Sequence, residues 1–584
     1  MKVIVPFTIR VTIDNRRSVM SGNFLTPTAI WKDFNIDGEI KAEIIAKVAV
    51  CGLSIIHLRI SGKKTADGEV GIYATLTHKA QITLAPAILL VRDFNTDDDS
   101  LSFNLAEKGY AVLTVDIAGA CEFNHNKTVD GVEKPYTVYP ESLSYANYDK
   151  SAEDKSEIAG DARATCWCEW ARVIRYAVEY LRTQPLVTKI GVIGMGGGAT
   201  PLWQVLSASC GISCAVIAAN AGWKGYRGIN KFGETAEPQF TDDALKYIAG
   251  IEPQAYAAHV KCPLMFLAPT NSPDYDADRA YDTVSRVLPK IYTVIDYSVG
   301  EINHIGSDSY NGMLVFLDAF LVQDAALPED ISVKSAVTGA SVQVEVTVEK
   351  TGLKDLSVYF AEDETSPFLR SWEKTVNAKE TENGTYLFDY TPYMGSKAVF
   401  YFARAEYENG IRICSGIACK KLEKPIGDAT KTRVLYSSRL TVGTGGFYAT
   451  CENDGGIVFK TDKRSAVTVK NGPMDIAGLC CPTGLTTFKL NVEKYKPLQG
   501  AILMFDVFVK GGGEFAVKAV ADYFGEKTVY LSRVKLFGDL WQNVKVELSG
   551  FKTEQGLSLK SLDNIEALEF SADTDFLINN VLWV

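Results

Sequence analysis

Hydrophobic residues change their period along this chain near residue 325, and that change restricts the possible folds more than any other feature. Up to that point, short apolar runs alternate with stretches whose apolar residues recur at helical spacing. Beyond it, alternation at period two takes over. The first texture belongs to strands joined by helices, the second to half-buried antiparallel strands. Pro328 and the polar run Lys420–Thr432 mark the seams. A chain of 584 residues is too long for one hydrophobic core, so the pattern predicts an α/β part followed by two all-β parts.

Within the first part, Ala87–Val91 reads as a strand buried on both faces, because it is apolar without alternation. Helix Leu101–Lys108 follows with Gly109 as its C-cap, then strand Ala111–Ile117. An insertion rich in Tyr, Asn and Lys occupies residues 120–158. Trp167, Trp170, Ala171, Ile174, Ala177, Val178 and Leu181 then share one face of a long helix. Ser54–Ser61, Glu69–Thr77, Lys189–Ile193, Cys214–Ala219, Leu264–Ala268 and Tyr292–Tyr297 read as further strands, with helices after Thr200, Asp276 and Ser309. The alternation predicts a mostly parallel twisted sheet with helices on both faces across residues 51–325, and residues 1–50 as a β and lead-in segment packed on it. Residues 331–422 carry strands Ser341–Val348, Leu356–Phe360, Thr385–Tyr390 and Ala398–Tyr407, then an Asn409-Gly410 hairpin turn, a spacing that suggests an immunoglobulin-like sandwich. Residues 433–584 show at least seven strands, among them Ile457–Phe459, Thr487–Val492 and Phe576–Leu582, and fit a jelly roll.

Composition narrows the function. Sixty basic against 71 acidic residues leave a net charge of −11, which argues against nucleic acid and anionic lipid as partners. No run of about 18 apolar residues offers a membrane span. Val3–Ile13 alternates apolar and polar residues and reads as a strand, not a signal peptide, so a cytoplasmic location is expected. The 12 cysteines are scattered, and Cys166-x-Cys168 and the adjacent Cys480 and Cys481 lack the second half of a zinc site. With five histidines and no HExxH pattern, neither a metal nor a cofactor is expected.

The stretch KIGVIGMGGGATPLW, Lys189 to Trp203, runs from strand through a glycine-dense turn into a helix. Gly194-x-Gly196-x-x-Ala199 matches a dinucleotide fingerprint. The same residues match the nucleophile elbow G-x-S-x-G, with Gly196 where the serine belongs. A fingerprint would open the first βαβ unit and be followed by an acidic residue at the end of the next strand. This stretch lies deep in the chain, and the next strand, CAVIAANAGW, ends in Asn220 and Gly222. The elbow is the better match.

Here the chain resembles the α/β-hydrolase superfamily, in particular its dienelactone hydrolase and acetyl xylan esterase branch. The resemblance spans about residues 50–325 and rests on PAILLV, LAEKGYAVLTVDIAG, the elbow, CPLMFLAPTN and EINHIGSDSYNGMLVFLDAFL, with AIWKDFN at Ala29–Asn35 as the lead-in. It implies an esterase ancestry and assigns the nucleophile position to Gly196 and the histidine to His304. The acid position falls at Asn271-Ser272, leaving Asp274 and Asp276 as displaced candidates. Where the family carries His-Gly after the first central strand, this chain has Arg92-Asp93. The N–H groups of Gly197 and Phe94 are where an oxyanion hole would form, and Arg92 and Asp93 would line the pocket. Without an oxygen nucleophile the triad chemistry cannot start. Losing it in a related triad costs about 10⁶ in turnover. The resemblance therefore implies a pseudohydrolase that binds a small-molecule or carbohydrate ligand. Its alternatives are an ester hydrolase using His304-activated water, Ser272 or Ser309, and a structural protein oligomerising through its β-sandwiches.

Several residues admit plainer roles. Asp274 and Asp276 fit a turn or helix N-cap. Arg92 could hold an anion or pair with Asp93 or Asp116. Tyr136, Tyr139, Tyr145 and Tyr148 form either a sugar-stacking surface or a packed cap. Trp541, Trp583, Tyr523 and Phe524 form either a sugar-binding face or part of the core. Gly196→Ser presents itself as the test of whether the remaining groups survive.

Overall fold

The computed structural model describes residues 24–36, 38–94, 99–121, 128–129, 132–133, 135–151, 156–208, 211–233, 238–272, 275–288, 290–300, 306–382, 384–441, 444–450, 452–453, 459–460 and 467–584. The expected strand Val3–Ile13 and most of Ile457–Phe459 lie outside them, as do His304 and Asp274.

Nine strands form one mixed sheet: β1 (Ala42–Val50), β2 (Leu53–Thr65), β3 (Gly68–Lys79), β4 (Ala85–Val91), β5 (Ala111–Val115), β6 (Val187–Met195), β7 (Cys214–Ala218), β8 (Leu264–Pro269) and β9 (Thr293–Ser298). Their order is β1-β2-β3-β5-β4-β6-β7-β8-β9. The first three pairs in this order are antiparallel and the remaining five parallel. Period-two burial divides the sheet between two cores. Ala87, Leu89 and Val91 of β4 face helices α3 (Cys166–Thr183) and α4 (Ala199–Ala208), whereas Ile88 and Leu90 face α2 (Ser100–Lys108) and α7 (Ser307–Asp318). Helices α5 (Asp242–Gly250) and α6 (Ala277–Val284) lie between β7 and β9 in the chain. The lead-in residues Ile30 and Trp31, from α1 (Pro27–Trp31), are buried, and the Arg175 guanidinium sits 3.8 Å from the Phe34 ring centroid.

Antiparallel strands follow. Between residues 332 and 421 they make a four-stranded and a five-stranded sheet, and beyond residue 433 a six-stranded and a five-stranded sheet. Both cores of the mixed sheet continue into the middle strands, through Phe400, Phe402 and Cys414 on one side and Val344, Val358 and Phe388 on the other. The seam near Pro328 is thus a change of architecture within continuous packing. One strand expectation fails: after Leu485–Thr487 the chain turns in a 3₁₀ helix, Lys489–Asn491. Lys489 points inward and donates to the Leu435 carbonyl, which breaks the alternation that predicted a strand to Val492. Helix α5 gave no strong periodic signal, because only Tyr247 and Gly250 of it are buried.

Candidate functional site

Strand β6 ends at Met195, and the chain reverses through a single 3₁₀ turn, Gly196–Gly198, before α4. Gly196 has φ +50°, the left-handed region where an L side chain is strained, so the turn there is sharp. The loop leaving β4 lies directly on this turn. A Cβ on Gly196 would stand 2.6 Å from the Asp93 carboxylate, one on Gly197 would stand 2.4 Å from the Phe94 ring, and one on Gly198 would stand 2.2 Å from the Arg92 carbonyl oxygen. Three successive glycines are therefore required by three successive loop residues, a demand beyond that of a tight turn.

Asp93 is the centre of the arrangement. Its Oδ1 accepts the N–H of Phe94 at 2.9 Å and the N–H of Gly197 at 3.1 Å. These are the two donors from which an oxyanion hole is expected, and the protein's own carboxylate fills the position between them. The negative charge also sits at the amino end of α4, where the helix dipole favours it. Phe94 anchors the loop: its ring lies 4.8 Å from Trp170 and 5.1 Å from Tyr148 between centroids.

Arg92 is part of the same loop but pairs with neither Asp93 nor Asp116 in the bonds described. It donates from Nη1 to Asp99 Oδ1 at 2.6 Å, while Asp116 accepts from the N–H groups of Ala118 and Thr137. Sequence reasoning missed Asp99, since it lies seven residues on, in a polar run that reads as a loop. It also missed Asn220, noticed only as the place where a fingerprint acid is lacking. Asn220 is 6% exposed, and its Nδ2 donates to the Gly196 carbonyl at 2.7 Å and to Thr200 Oγ1 at 2.8 Å. Asn220→Ala leaves that carbonyl and hydroxyl unsatisfied in the interior. It should lower stability by about 1–3 kcal/mol, measured as the shift in urea midpoint.

The other candidates are employed elsewhere. Ser309 is fully buried, accepts from the Arg412 guanidinium and lies 3.1 Å from Ser298 Oγ, so it is no exposed nucleophile. Asp276 caps α6, accepting from the N–H groups of Asp278 and Arg279. Burial, and then the neighbouring Asp278, pushes its carboxyl up to about 6. Asn271, where the resemblance would place the acid, is 1% exposed, and its Nδ2 donates to the Arg370 carbonyl at 2.7 Å and to Tyr448 Oη at 2.8 Å. This corner holds the mixed sheet against both later blocks.

Three tyrosines of the insertion are packed against the core. Tyr139 donates to the Ile117 carbonyl, Tyr145 donates to Glu169, and Tyr148 stacks on Trp170. The C-terminal aromatics likewise share no face: Trp583 is buried and donates to the Tyr495 carbonyl, Trp541 donates to that of Pro473, and Tyr523 and Phe524 pack with Phe488. No cluster of metal-ligating side chains and no helix long and apolar enough to cross a membrane occurs among the described residues.

The strand order and the glycine elbow at the end of β6 give an α/β-hydrolase-like core. No family model matches the sequence, and no curated protein matches it. Among solved structures, the acetyl xylan esterase from Paenibacillus sp. R4 aligns at 11% identity over 50% of this chain and 92% of its own, with a TM-score of 0.38. Acetyl xylan esterase 1 from Thermoanaerobacterium sp. JW/SL YS485 aligns at 11% identity over 51% and 92%, with a TM-score of 0.35. Est1E from Butyrivibrio proteoclasticus aligns at 10% identity over 46% and 99%, with a TM-score of 0.30.

Proposed function

We propose that this chain is a pseudohydrolase: an α/β-hydrolase-like unit (51–325, with 1–50 packed on it) that has lost ordinary ester hydrolysis and acts by binding a small-molecule or carbohydrate ligand. An immunoglobulin-like unit (331–422) and a jelly-roll unit resembling carbohydrate-binding modules (433–584) complete the same reading. One observation carries it. Where a serine hydrolase offers a hydroxyl beside two vacant N–H donors, this chain offers a glycine and a carboxylate that accepts from both donors. A substrate carbonyl entering there would meet a negative charge instead of a nucleophile, and the donors that would stabilise its oxyanion are occupied. In this reading His304 and Asp274, the histidine and acid candidates of the resemblance, have no serine to serve.

A second reading, an ester hydrolase with a relocated nucleophile, has Ser272 in its favour, since that residue borders a cleft beside the expected acid position. Labelling with a fluorophosphonate probe tests both. The pseudohydrolase reading requires no covalent adduct, whereas an adduct mapped to Ser272 would replace it with the second.

A further inference from the structure

A cleft of about 440 Å³ opens where the three parts of the chain meet. That is within the range of about 300–1,000 Å³ typical of small-molecule sites, which favour domain junctions. Its walls come from the segment after β7, the segment after β8, residues 366–369 of the middle block and Phe524 of the last block. Arg92, Asp93, Phe94, Gly196 and Gly197 are not part of the lining, so the cleft is distinct from the hole filled by Asp93.

Two aromatic pairs border it. Trp223 and Tyr226 meet edge to face at 5.3 Å on the side of the mixed sheet, and Phe368 and Phe524 meet at 6.0 Å on the side of the β blocks. Trp223 is held in place at a cost. Its φ of +65° is unusual for so bulky a residue, and the conformation is pinned by Nε1 donating to Thr283 Oγ1 at 2.8 Å and N–H donating to Gln254 Oε1 at 3.2 Å. The Arg279 guanidinium covers the Tyr226 ring at 4.6 Å, which stiffens this wall from behind. Arg227 adds an exposed positive charge to the lining, whereas the Lys224 ammonium lies over the Trp167 ring at 5.1 Å and interacts with the buried Glu252. Among the described residues the one carboxylate of the lining, Asp276, is already paired with Arg279 at 3.0 Å. In a chain of net charge −11, Arg227 is a local positive charge beside two edge-to-face aromatic pairs.

We infer that this three-sided cleft binds a small ring compound carrying a carboxylate, with the ring face between the Trp223–Tyr226 and Phe368–Phe524 walls and the carboxylate at Arg227. Flat aromatic acids and sugar acids share that chemistry: one stacks through its π face, the other through its C–H face, and either offers two oxygens to a guanidinium fork. The site exists only when all three blocks are together, so occupancy ties the last block to the first.

Thermal unfolding of the full chain with 4-hydroxybenzoate or galacturonate, against 4-hydroxybenzamide and galactose, tests this and tells the two ring types apart. At least one acid should raise the melting temperature with concentration, and its neutral counterpart should not. Arg227→Gln, at an exposed position, should weaken the acid about tenfold, and Phe524→Ala should weaken it as well. Two results overturn the inference: no shift with either acid at millimolar concentration, or unchanged binding in both variants. Binding that survives Phe524→Ala but tightens in Asp93→Ala would put the ligand beside Gly196, on the donors that Asp93 otherwise occupies. That outcome overturns the cleft and leaves the pseudohydrolase reading standing, whereas a fluorophosphonate adduct would do the reverse.

Discussion

Replacing Arg370 with alanine should lower the free energy of unfolding by about 3–5 kcal/mol, far more than loss of a surface ion pair. Arg370, between the first two parts of the chain, and Asp278, on α6, are both fully buried, and their guanidinium and carboxylate meet in two bonds of 2.7 and 2.9 Å. Nε of Arg370 also donates to the Glu364 carbonyl, and its plane lies 3.8 Å from the Phe400 ring centroid. Removing the arginine strands a carboxylate in an interior that cannot solvate it, and that desolvation penalty outweighs the packing lost with the side chain. Asp278→Ala should cost a similar amount for the mirror-image reason. The double variant Asp278→Leu with Arg370→Met, which leaves no charge unpaired, should lose much less than the sum of the single changes. Urea unfolding of the four proteins gives the cycle. A loss below about 1 kcal/mol in either single variant would mean that the pair is solvated and the joint looser than described.

Gly196→Ala should be the other costly change, and its cost should depend on Asp93. Two penalties meet at this position. The left-handed backbone costs an L residue about 1–2 kcal/mol, and the added Cβ would collide with a carboxylate 2.6 Å away, worth about 1–3 kcal/mol more. In an Asp93→Gly background the second penalty disappears and the first stays. The two substitutions should therefore couple by about 1–3 kcal/mol in urea unfolding, and additive effects would show that the carboxylate is not where it is described. The same geometry changes the meaning of Gly196→Ser. A serine cannot take the elbow while Asp93 fills the space of its side chain, so that single variant should remain silent toward esters whatever the state of His304. Only with Asp93→Gly added does the substitution report on the rest of the site.

Much of this layout is legible in the sequence, because burial on both faces and period-two alternation are written directly in residue type. Ala87–Val91 and Leu264–Pro269 appear as continuous apolar runs, and Ala111–Val115 as one broken only by Thr114, since they are central in the sheet, and Gly109 marks the end of α2 through its left-handed φ of 106°. The elbow is legible for a similar reason: only glycine tolerates so tight an approach, so three in a row announce a crowded turn. What crowds it is not legible. Arg92-Asp93 stands out as a departure from His-Gly, but whether Asp93 faces solvent, Arg92 or Gly196 depends on where Phe94 anchors, and that is set by Trp170 and Tyr148 from distant parts of the chain. Asn271 and Arg370 are hidden in the same way. Each is an ordinary polar residue in its own segment and acquires its role from partners about a hundred positions away. The tyrosines of the insertion and the C-terminal aromatics show the converse. Their composition fits a sugar-stacking surface or a packed core, and the contacts of Tyr139, Tyr148 and Trp583 are those of packing.

Hydrolysis of p-nitrophenyl acetate by the unmodified protein, set against its His304→Ala variant, puts the proposed loss of the nucleophile and the Asp93-occupied donors to trial together. Equal rates, indistinguishable from those of a protein without an active site, are the predicted result. A wild-type rate well above that of the variant would show that an ester carbonyl is attacked in this pocket after all, and would contradict the account.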